Sequence, residues 1–438
     1  MIDNAPKKVS LRTVGCRLNQ YESEMIAAQL YPYGFTRVEP GETADLYIIN
    51  TCTVTHRADS SCRNYIRRAV RENPNGRVVV TGCYVETSPE LLSGMEGVDL
   101  VLGNSQKEQM ATILAQKMPE LFDREPDGSC VVRVTDFFDH NRAWIKVSDG
   151  CNQRCSYCII PRVRGPLTNR PPEEIIRDIN SLIQSGYREV VMTAVHLGHY
   201  QYRNGEPSVK SFAGLCRRIL SETDLYRLRL ASIEPQTIDD ELIGVYVEAD
   251  GRLCRNFHAS LQSGSSRILR MMNRPYDADA YARRVGRIKE AVDNTIIGAD
   301  VIVGFPGETD DDFNQTRQLV QSGLIDYLHV FSYSDRPGTK ASQLPDKINP
   351  EVIKERNAIL TEVSAKLRRA AYQRQIGQTL EVIYEHNRTP DGGYTAISDN
   401  YIKVRIPGEH NFGKDVVETR ITDATDQWVE GELIGPIK

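Results

Sequence analysis

The sequence predicts an α/β protein of three domains: an N-terminal parallel α/β sheet domain, a central partial (β/α)6 barrel, and a C-terminal small antiparallel β-barrel of the OB-like kind. Three observations predict this. Short apolar strand patterns alternate with helical ones over residues 1–125. After a turn-rich stretch the alternation restarts at Ala143 and yields six strand candidates. From about residue 375 the apolar period drops to two, with Gly, Pro, Asp and Asn at the breaks. A chain of 438 residues, at roughly 150 per domain, has length for three cores.

In the first domain, residues 1–125, the strands are LRTV, DLYIIN, RVVVT and LVLG. YESEMIAAQL and SSCRNYIRRAV between them space their apolar residues helically. Residues 126–142, which begin within EPDG and contain the turn-rich DFFDHNR, read as a linker. The central domain, 143–371, carries AWIKVS, EVVMTAV, RLRLAS, NFHASL, ADVIVGF and YLHVFSY as strands. One intervening helix is well marked: Pro171 and Pro172 suit its first turn, EEIIRDINSLI is its amphipathic body and Gly186 suits its C-terminal end. A long helical pattern, PEVIKERNAILTEVSAKLRRAAYQRQ, follows. The last domain, 372–438, contains TLEVIYE, YTAIS, YIKVRI, VVETRI and WVEGELI, five short strands that suit a small barrel.

Composition narrows the class. The chain is 26% charged and 40% hydrophobic, ordinary for a globular protein, and no apolar run approaches the ~20 residues of a membrane span. Its start, MIDNAPKKVSLRTVG, has no secretory apolar region, which predicts a cytoplasmic protein whose ten cysteines stay reduced. A net charge of −5 argues against bulk electrostatic coating of nucleic acid, so any RNA contact is local.

The strongest motif is CNQRCSYC, which sets Cys151, Cys155 and Cys158 on one loop after the first barrel strand. Three thiolates hold three corners of a [4Fe–4S] cluster and leave one iron open for a chelating ligand. A zinc site, or a ferredoxin-like cluster completed by a distant cysteine, is the other reading. A second set is dispersed: Cys16, Cys52 and Cys83 each follow the C-terminal end of a predicted parallel strand, where ligands of open α/β sheets converge. Three unrelated buried cysteines is the alternative there. Cys62, Cys130, Cys216 and Cys254 stand outside both sets and read as small buried hydrophobes.

CNQRCSYC, with Tyr157 before its last cysteine, resembles the radical S-adenosylmethionine (SAM) signature, and nearly the whole chain resembles the radical SAM methylthiotransferases. That resemblance implies two [4Fe–4S] clusters, one on Cys151, Cys155 and Cys158 that cleaves SAM to a 5′-deoxyadenosyl radical, and an auxiliary one on Cys16, Cys52 and Cys83 that receives sulfur. It further implies that Thr193, Ala194 and Val195 face the SAM amino group, with a departure at Ala194, where the family has Gly. Ser232 and Glu234 fall near the ribose, and Gln262, Ser263 and Gly298 to Gly304 line the same mouth. His196 and His199 are candidate bases, with a supporting structural role as the commoner explanation.

GCRLNQYESE, THRADSSCRNYIRRA, CIIPRVRG, TAVHLGHY and YSDRPGTKAS resemble the branch acting on N6-threonylcarbamoyladenosine beside the tRNA anticodon. Its carboxylate would suit Arg162 and Arg164. The C-terminal module resembles the RNA-binding TRAM domain, with Arg374, Lys403 and Arg405 as its basic face. Seven Lys or Arg against eleven Asp or Glu in residues 372–438 work against that face, whereas RNYIRRAVR offers a separate basic surface. The partners implied are tRNA, a reduced flavodoxin- or ferredoxin-type electron donor, and a sulfur donor (sulfide, persulfide or a carrier), with no membrane. The branches acting on isopentenyladenosine or on an aspartate of ribosomal protein S12 are alternatives. A non-catalytic iron–sulfur RNA-binding or electron-transfer protein is the alternative of another class.

Overall fold

The structure, a computed structural model, describes residues 6–39, 41–122, 124, 126, 133–204, 208–389 and 391–437. Cys130 lies outside the described residues. Contacts divide the chain into two compact units: residues 1–136 with 150–152 and 159–166, and residues 137–149 with 153–158 and 167–438.

In the first unit, β1 (Lys7–Thr13), β2 (Phe35–Arg37), β3 (Leu46–Thr51), β4 (Arg77–Gly82) and β5 (Leu100–Leu102) form one sheet in the order β2-β1-β3-β4-β5, every pair parallel. The four strands expected from the sequence are present, and β2 is a short addition at the edge. Helix α1 (Arg17–Leu30) follows β1, α2 (His56–Glu72) follows β3, and α3 (Cys83–Thr87) opens directly on β4. Because side chains alternate across a strand, Val9, Leu46, Ile48 and Val79 pack with Ile26 and Leu114 on one face, while Tyr47, Ile49, Val78 and Val80 pack with Cys62 and Ile66 on the other. A sheet covered on both faces leaves the C-terminal strand ends as the place for a ligand.

The second unit contains β6 (Ala143–Lys146), the small antiparallel pair β7 (Ser148–Asp149) and β8 (Thr168–Asn169), β9 (Glu189–Thr193), β10 (Arg227–Leu230), β11 (Ser232–Ile233), β12 (Asn256–Ala259), β13 (Ile296–Val303) and β14 (Tyr327–Ser332). All six expected barrel strands form. The third is broken at Ala231: β10 pairs with β9 in the sheet β10-β9-β6, whereas β11 pairs with β12 in the sheet β11-β12-β13-β14. The helix expected from Pro172 runs Pro172–Gln184, and Gly186 follows it at φ +87°, a conformation that glycine supplies without strain. The long helix spans Pro350–Gln373.

The C-terminal barrel is closed by β15 (Thr379–Arg388), β16 (Tyr394–Ser398), β17 (Lys403–Ile406), β18 (Val416–Ala424) and β19 (Val429–Pro436), in the order β15-β16-β17-β19-β18. Four pairings are antiparallel, as expected, and β17 with β19 is parallel. The barrel is tied into its unit by buried charge. Glu189, fully buried, takes Arg227 at 2.6 Å and Arg229 at 2.7 Å. The same two guanidinium groups donate to the carbonyls of Glu381, Ile397, Ser398 and Asp399. The C-terminal part of the expected linker packs in this unit too, with Phe137 edge-on to Trp144 and Tyr187. No helix among the described residues is long and apolar enough to cross a membrane.

Candidate functional site

Cys16, Cys52 and Cys83 stand at the C-terminal ends of β1, β3 and β4, three adjacent parallel strands. Each thiol lies near enough to the others that ionising one disfavours ionising its neighbours: Cys83 acts on Cys16, and both act on Cys52. Two glycines allow this approach. A Cβ on Gly15, at φ +113°, would fall 2.7 Å from the Cβ of Cys52, and one on Gly82, at φ +106°, 2.4 Å from the carbonyl of Thr51. Burial pushes the Cys52 thiol up to about 12. Cys16 keeps accessible surface yet is also raised by desolvation, as befits a thiol in a narrow crevice, with the Arg164 guanidinium opposing the rise.

Among the described residues no three His, Cys, Asp or Glu side chains are placed to hold a single metal ion. A cubane asks for something different, because its irons occupy separate corners and its thiolates stand farther apart than ligands of one ion. The all-thiol donor set and the glycine-lined approach fit such a group. Cys62 is not a fourth member. Its thiol is buried, contacts the backbone N–H and carbonyl of Cys52 at 3.5 Å, and is pushed up to about 11 by burial. Cys216 and Cys254 are buried as expected.

Amide side chains stand behind two of the thiols. Asn19 is pinned by donating to the carbonyls of Val14 (2.8 Å) and Thr51 (3.1 Å), and its Oδ1 lies 3.8 Å from the Cys16 sulfur. Asn104 donates to the Val163 carbonyl at 2.9 Å and lies 3.8 Å from the Cys83 sulfur. Arg164, on the short helix Ile160–Arg164, corrects an expectation. Only 2% exposed, it donates to Glu22 at 2.7 Å and to Asn19 at 2.6 Å, while Lys107 meets the other Glu22 oxygen at 2.5 Å. A guanidinium spent on a buried carboxylate does not greet a substrate carboxylate, so Arg164 braces the Cys16 corner instead. Neither Glu22 nor Lys107 carried a signal in the sequence, since their pairing spans 85 residues.

The CNQRCSYC loop is divided between the units, with Cys151 in the first and Cys155 and Cys158 in the second. Cys151 is held through its N–H to the Gly165 carbonyl at 3.2 Å, and Gly150 at φ +69° sits where a Cβ would meet the Pro166 carbonyl at 2.1 Å. In the second unit the N–H of Cys158 bonds the Cys155 carbonyl, and Tyr157 packs with Ile268, Met272 and Phe305. Arg274, which sequence reasoning missed, donates to the Cys155 sulfur at 3.0 Å, pairs with Glu234 and lies 5.0 Å over the Tyr276 ring. Nothing around RMMNRPY marked it beforehand, because Cys155 and Glu234 come from two distant segments.

The residues expected around SAM divide. Thr193 ends β9 and is buried, while Ala194 and Val195 just beyond it are partly accessible. Ser232 is accessible and bonds His258 Nδ1 at 2.8 Å, and His258 Nε2 lies 3.3 Å from Asp300. Gln262, at φ +66°, bridges to β13 through its backbone. Ser263 is fully buried, with its hydroxyl at 3.3 Å from Thr316 and 3.2 Å from the Ser265 N–H, so its side chain is engaged within the protein. Gly298 and Gly304 are close-packing positions, where a Cβ would meet Tyr327 and Ile353. His196 and His199 stack at 3.7 Å. His196 is 4% exposed, neither ring nitrogen has a hydrogen-bond partner among the described residues, and burial pushes it down to about 3. It is neutral at physiological pH.

In the C-terminal barrel Lys403 and Arg405 share one side of β17, as alternation requires. The charge of Arg405 and Arg374 is less available than expected. Arg405 is paired with Glu430 at 2.7 Å and with Asp391, and Arg374 is paired with Asp326.

Residues 8–103 match the uncharacterized protein family UPF0004, and residues 145–320 match the radical SAM superfamily. A threonylcarbamoyladenosine tRNA methylthiotransferase MtaB of Bacillus subtilis is 36% identical over 97% of this chain and 96% of its own length. A tRNA-2-methylthio-N(6)-dimethylallyladenosine synthase of Wolinella succinogenes is 30% identical over 97% of this chain and 99% of its own. Among solved structures, the radical SAM methyltransferase TsrM of Kitasatospora setae shares the fold, with a TM-score of 0.54 at 15% identity over 77% of this chain and 74% of that one. The thiol loop at the head of the barrel and the full-length likeness to these relatives place the chain in the radical SAM methylthiotransferase family.

Proposed function

We propose that this protein converts N6-threonylcarbamoyladenosine, immediately 3′ of the tRNA anticodon, to its 2-methylthio derivative, using two [4Fe–4S] clusters and SAM. The observation that carries the reading is the convergence of Cys16, Cys52 and Cys83 at adjacent strand ends in a chain that also bears the Cys151, Cys155 and Cys158 loop. Relatives named for threonylcarbamoyladenosine are 34–36% identical, against 30–32% for those named for dimethylallyladenosine, which supports the substrate.

When bound, the clusters and SAM supply one-electron chemistry at SAM and a carrier for the transferred sulfur. The chain's own residues do the rest. Cys151, Cys155 and Cys158 would hold the first cluster by three thiolates; Arg274 lends positive charge to the Cys155 sulfur and fixes Glu234, which would lie near the ribose. Cys16, Cys52 and Cys83 hold the second, with Asn19 and Asn104 aimed at two of the sulfurs. Thr193 to Val195, Ser232 and Gln262 line the SAM mouth, and Arg162 is the remaining candidate for the substrate carboxylate. The three-domain division at 125, 142 and 371, a cytoplasmic location, a flavodoxin- or ferredoxin-type reductant and a sulfide or persulfide donor complete the proposal.

Two measurements test it. Reconstituted enzyme incubated anaerobically with SAM and dithionite is expected to form 5′-deoxyadenosine. Nucleoside mass spectrometry of tRNA from a deletion strain is expected to show loss of 2-methylthio-N6-threonylcarbamoyladenosine. Loss of the 2-methylthio-isopentenyl nucleoside in its place assigns the dimethylallyl branch, and loss of neither removes tRNA as substrate.

A further inference from the structure

We infer that the outward face of α2 is the surface on which the first unit holds the phosphate backbone of its RNA substrate, an inference that rests on the tRNA reading above. The helix HRADSSCRNYIRRAVRE carries five arginines against two acidic residues in a chain whose net charge is −5. Both acids are already engaged, and Glu72 takes one arginine at the edge of the row, Arg68, out of play. Asp59 is buried and accepts the Thr53 hydroxyl at 2.7 Å; Glu72 takes Arg12 at 3.1 Å and Arg68 at 2.7 Å. At about 100° per residue, Arg57, Ser60, Asn64, Arg67, Arg68 and Arg71 fall within roughly 100° of arc, with no acid among them. Arg57, Arg67 and Arg71 are exposed and pair with no acidic side chain among the described residues. A row of unpaired guanidinium groups is what phosphates bind through charge-assisted, bidentate contacts.

Position favours a nucleic acid strand. The helix opens four residues after Cys52, through Val54, which is 48% exposed, so the row starts beside the crevice and runs about 21 Å from Arg57 to Arg71. That is the course of a backbone which delivers one nucleotide to the strand ends and lays its neighbours along the helix. Tyr65, 38% exposed beside the row, adds a face for a base. The C-terminal barrel offers less, because Arg374 and Arg405 are neutralised in place. An acidic electron-donor protein is the other partner such a face would suit, and a single helical row with an aromatic flank fits it less well than RNA.

The test compares reconstituted wild-type enzyme with Arg57→Gln/Arg67→Gln/Arg71→Gln, glutamine being nearly as good a helix former. Binding of tRNA from the deletion strain is followed by fluorescence anisotropy across a salt series. Loss of three phosphate contacts should make the plot of log affinity against log salt shallower by about 2–3. Iron content and tRNA-independent 5′-deoxyadenosine formation with dithionite should be unchanged. An unaltered slope overturns the inference. So does an unaltered slope with activity lost only when flavodoxin replaces dithionite, which reassigns the face to the electron donor. Wild-type enzyme that forms 5′-deoxyadenosine but binds tRNA without salt dependence brings down the tRNA reading itself, and this inference with it.

Discussion

The buried triad Lys107, Glu22 and Arg164 permits a sharp prediction, because its three members are not equivalent. Their side chains are 2–3% exposed, and one carboxylate serves two cations, so the triad already carries a net positive charge out of water. Glu22→Gln keeps the shape and removes the negative charge, leaving two buried cations facing a neutral amide. A unit-charge pair about 4 Å apart at an effective dielectric of about 20 is worth about 4 kcal/mol, and deleting one partner of a buried pair typically costs about 3–5 kcal/mol. Lys107→Met does the reverse: it removes the surplus charge and leaves Glu22 with Arg164 as a balanced pair, so its cost should stay below about 2 kcal/mol. The assay is urea unfolding of the anaerobic proteins, followed by circular dichroism. At an m of roughly 2 kcal/mol/M, Glu22→Gln should lower the midpoint of the first unit by about 1.5–2.5 M, and Lys107→Met by less than about 1 M. Equal shifts, or a larger one for Lys107→Met, would refute the charge argument.

Other outcomes follow from the same geometry. Gly82→Ala forces a Cβ to 2.4 Å from the Thr51 carbonyl at a positive φ, so it should displace Cys83 and lower the iron bound per chain by about half relative to wild type. Cys62→Ala, by contrast, should leave iron content unchanged, since that thiol serves the Cys52 backbone, whereas Cys52→Ala should lower it. Burial alone would raise the Glu189 carboxyl, but Arg229, Arg227 and Arg142 outweigh burial and hold it well below the usual carboxylate range. A depressed folded value means that its stabilisation is present above the unfolded value of about 4.3 and is lost as pH falls further. The urea midpoint of the second unit should therefore fall below about pH 4 in the wild type, and a wild-type curve flat through that range would contradict the sign.

Local pattern and tertiary pairing contributed differently. Strand and helix alternation is a short-range property, so the β–α units, the six barrel strands, the long helix and the five C-terminal strands were all legible in order. The edge strand Phe35–Arg37 is three residues long and has too little periodicity to read, and the change of partner at Ala231 depends on which strands flank it. The parallel closure of β17 on β19 likewise depends on barrel closure rather than on either strand's sequence.

By itself, the sequence determined which atoms are available: six cysteines in two patterns, the strand ends that carry three of them, and a basic helix after Cys52. Only the tertiary structure decided which charges remain unpaired. Arg164, Arg374 and Arg405 each meet a carboxylate from elsewhere in the chain, and Arg274 reaches Cys155 across 119 residues. The physical reason is range. Periodicity and motif spacing act over a few residues, whereas the desolvation and pairing that fix a charge's role depend on neighbours that folding alone brings near.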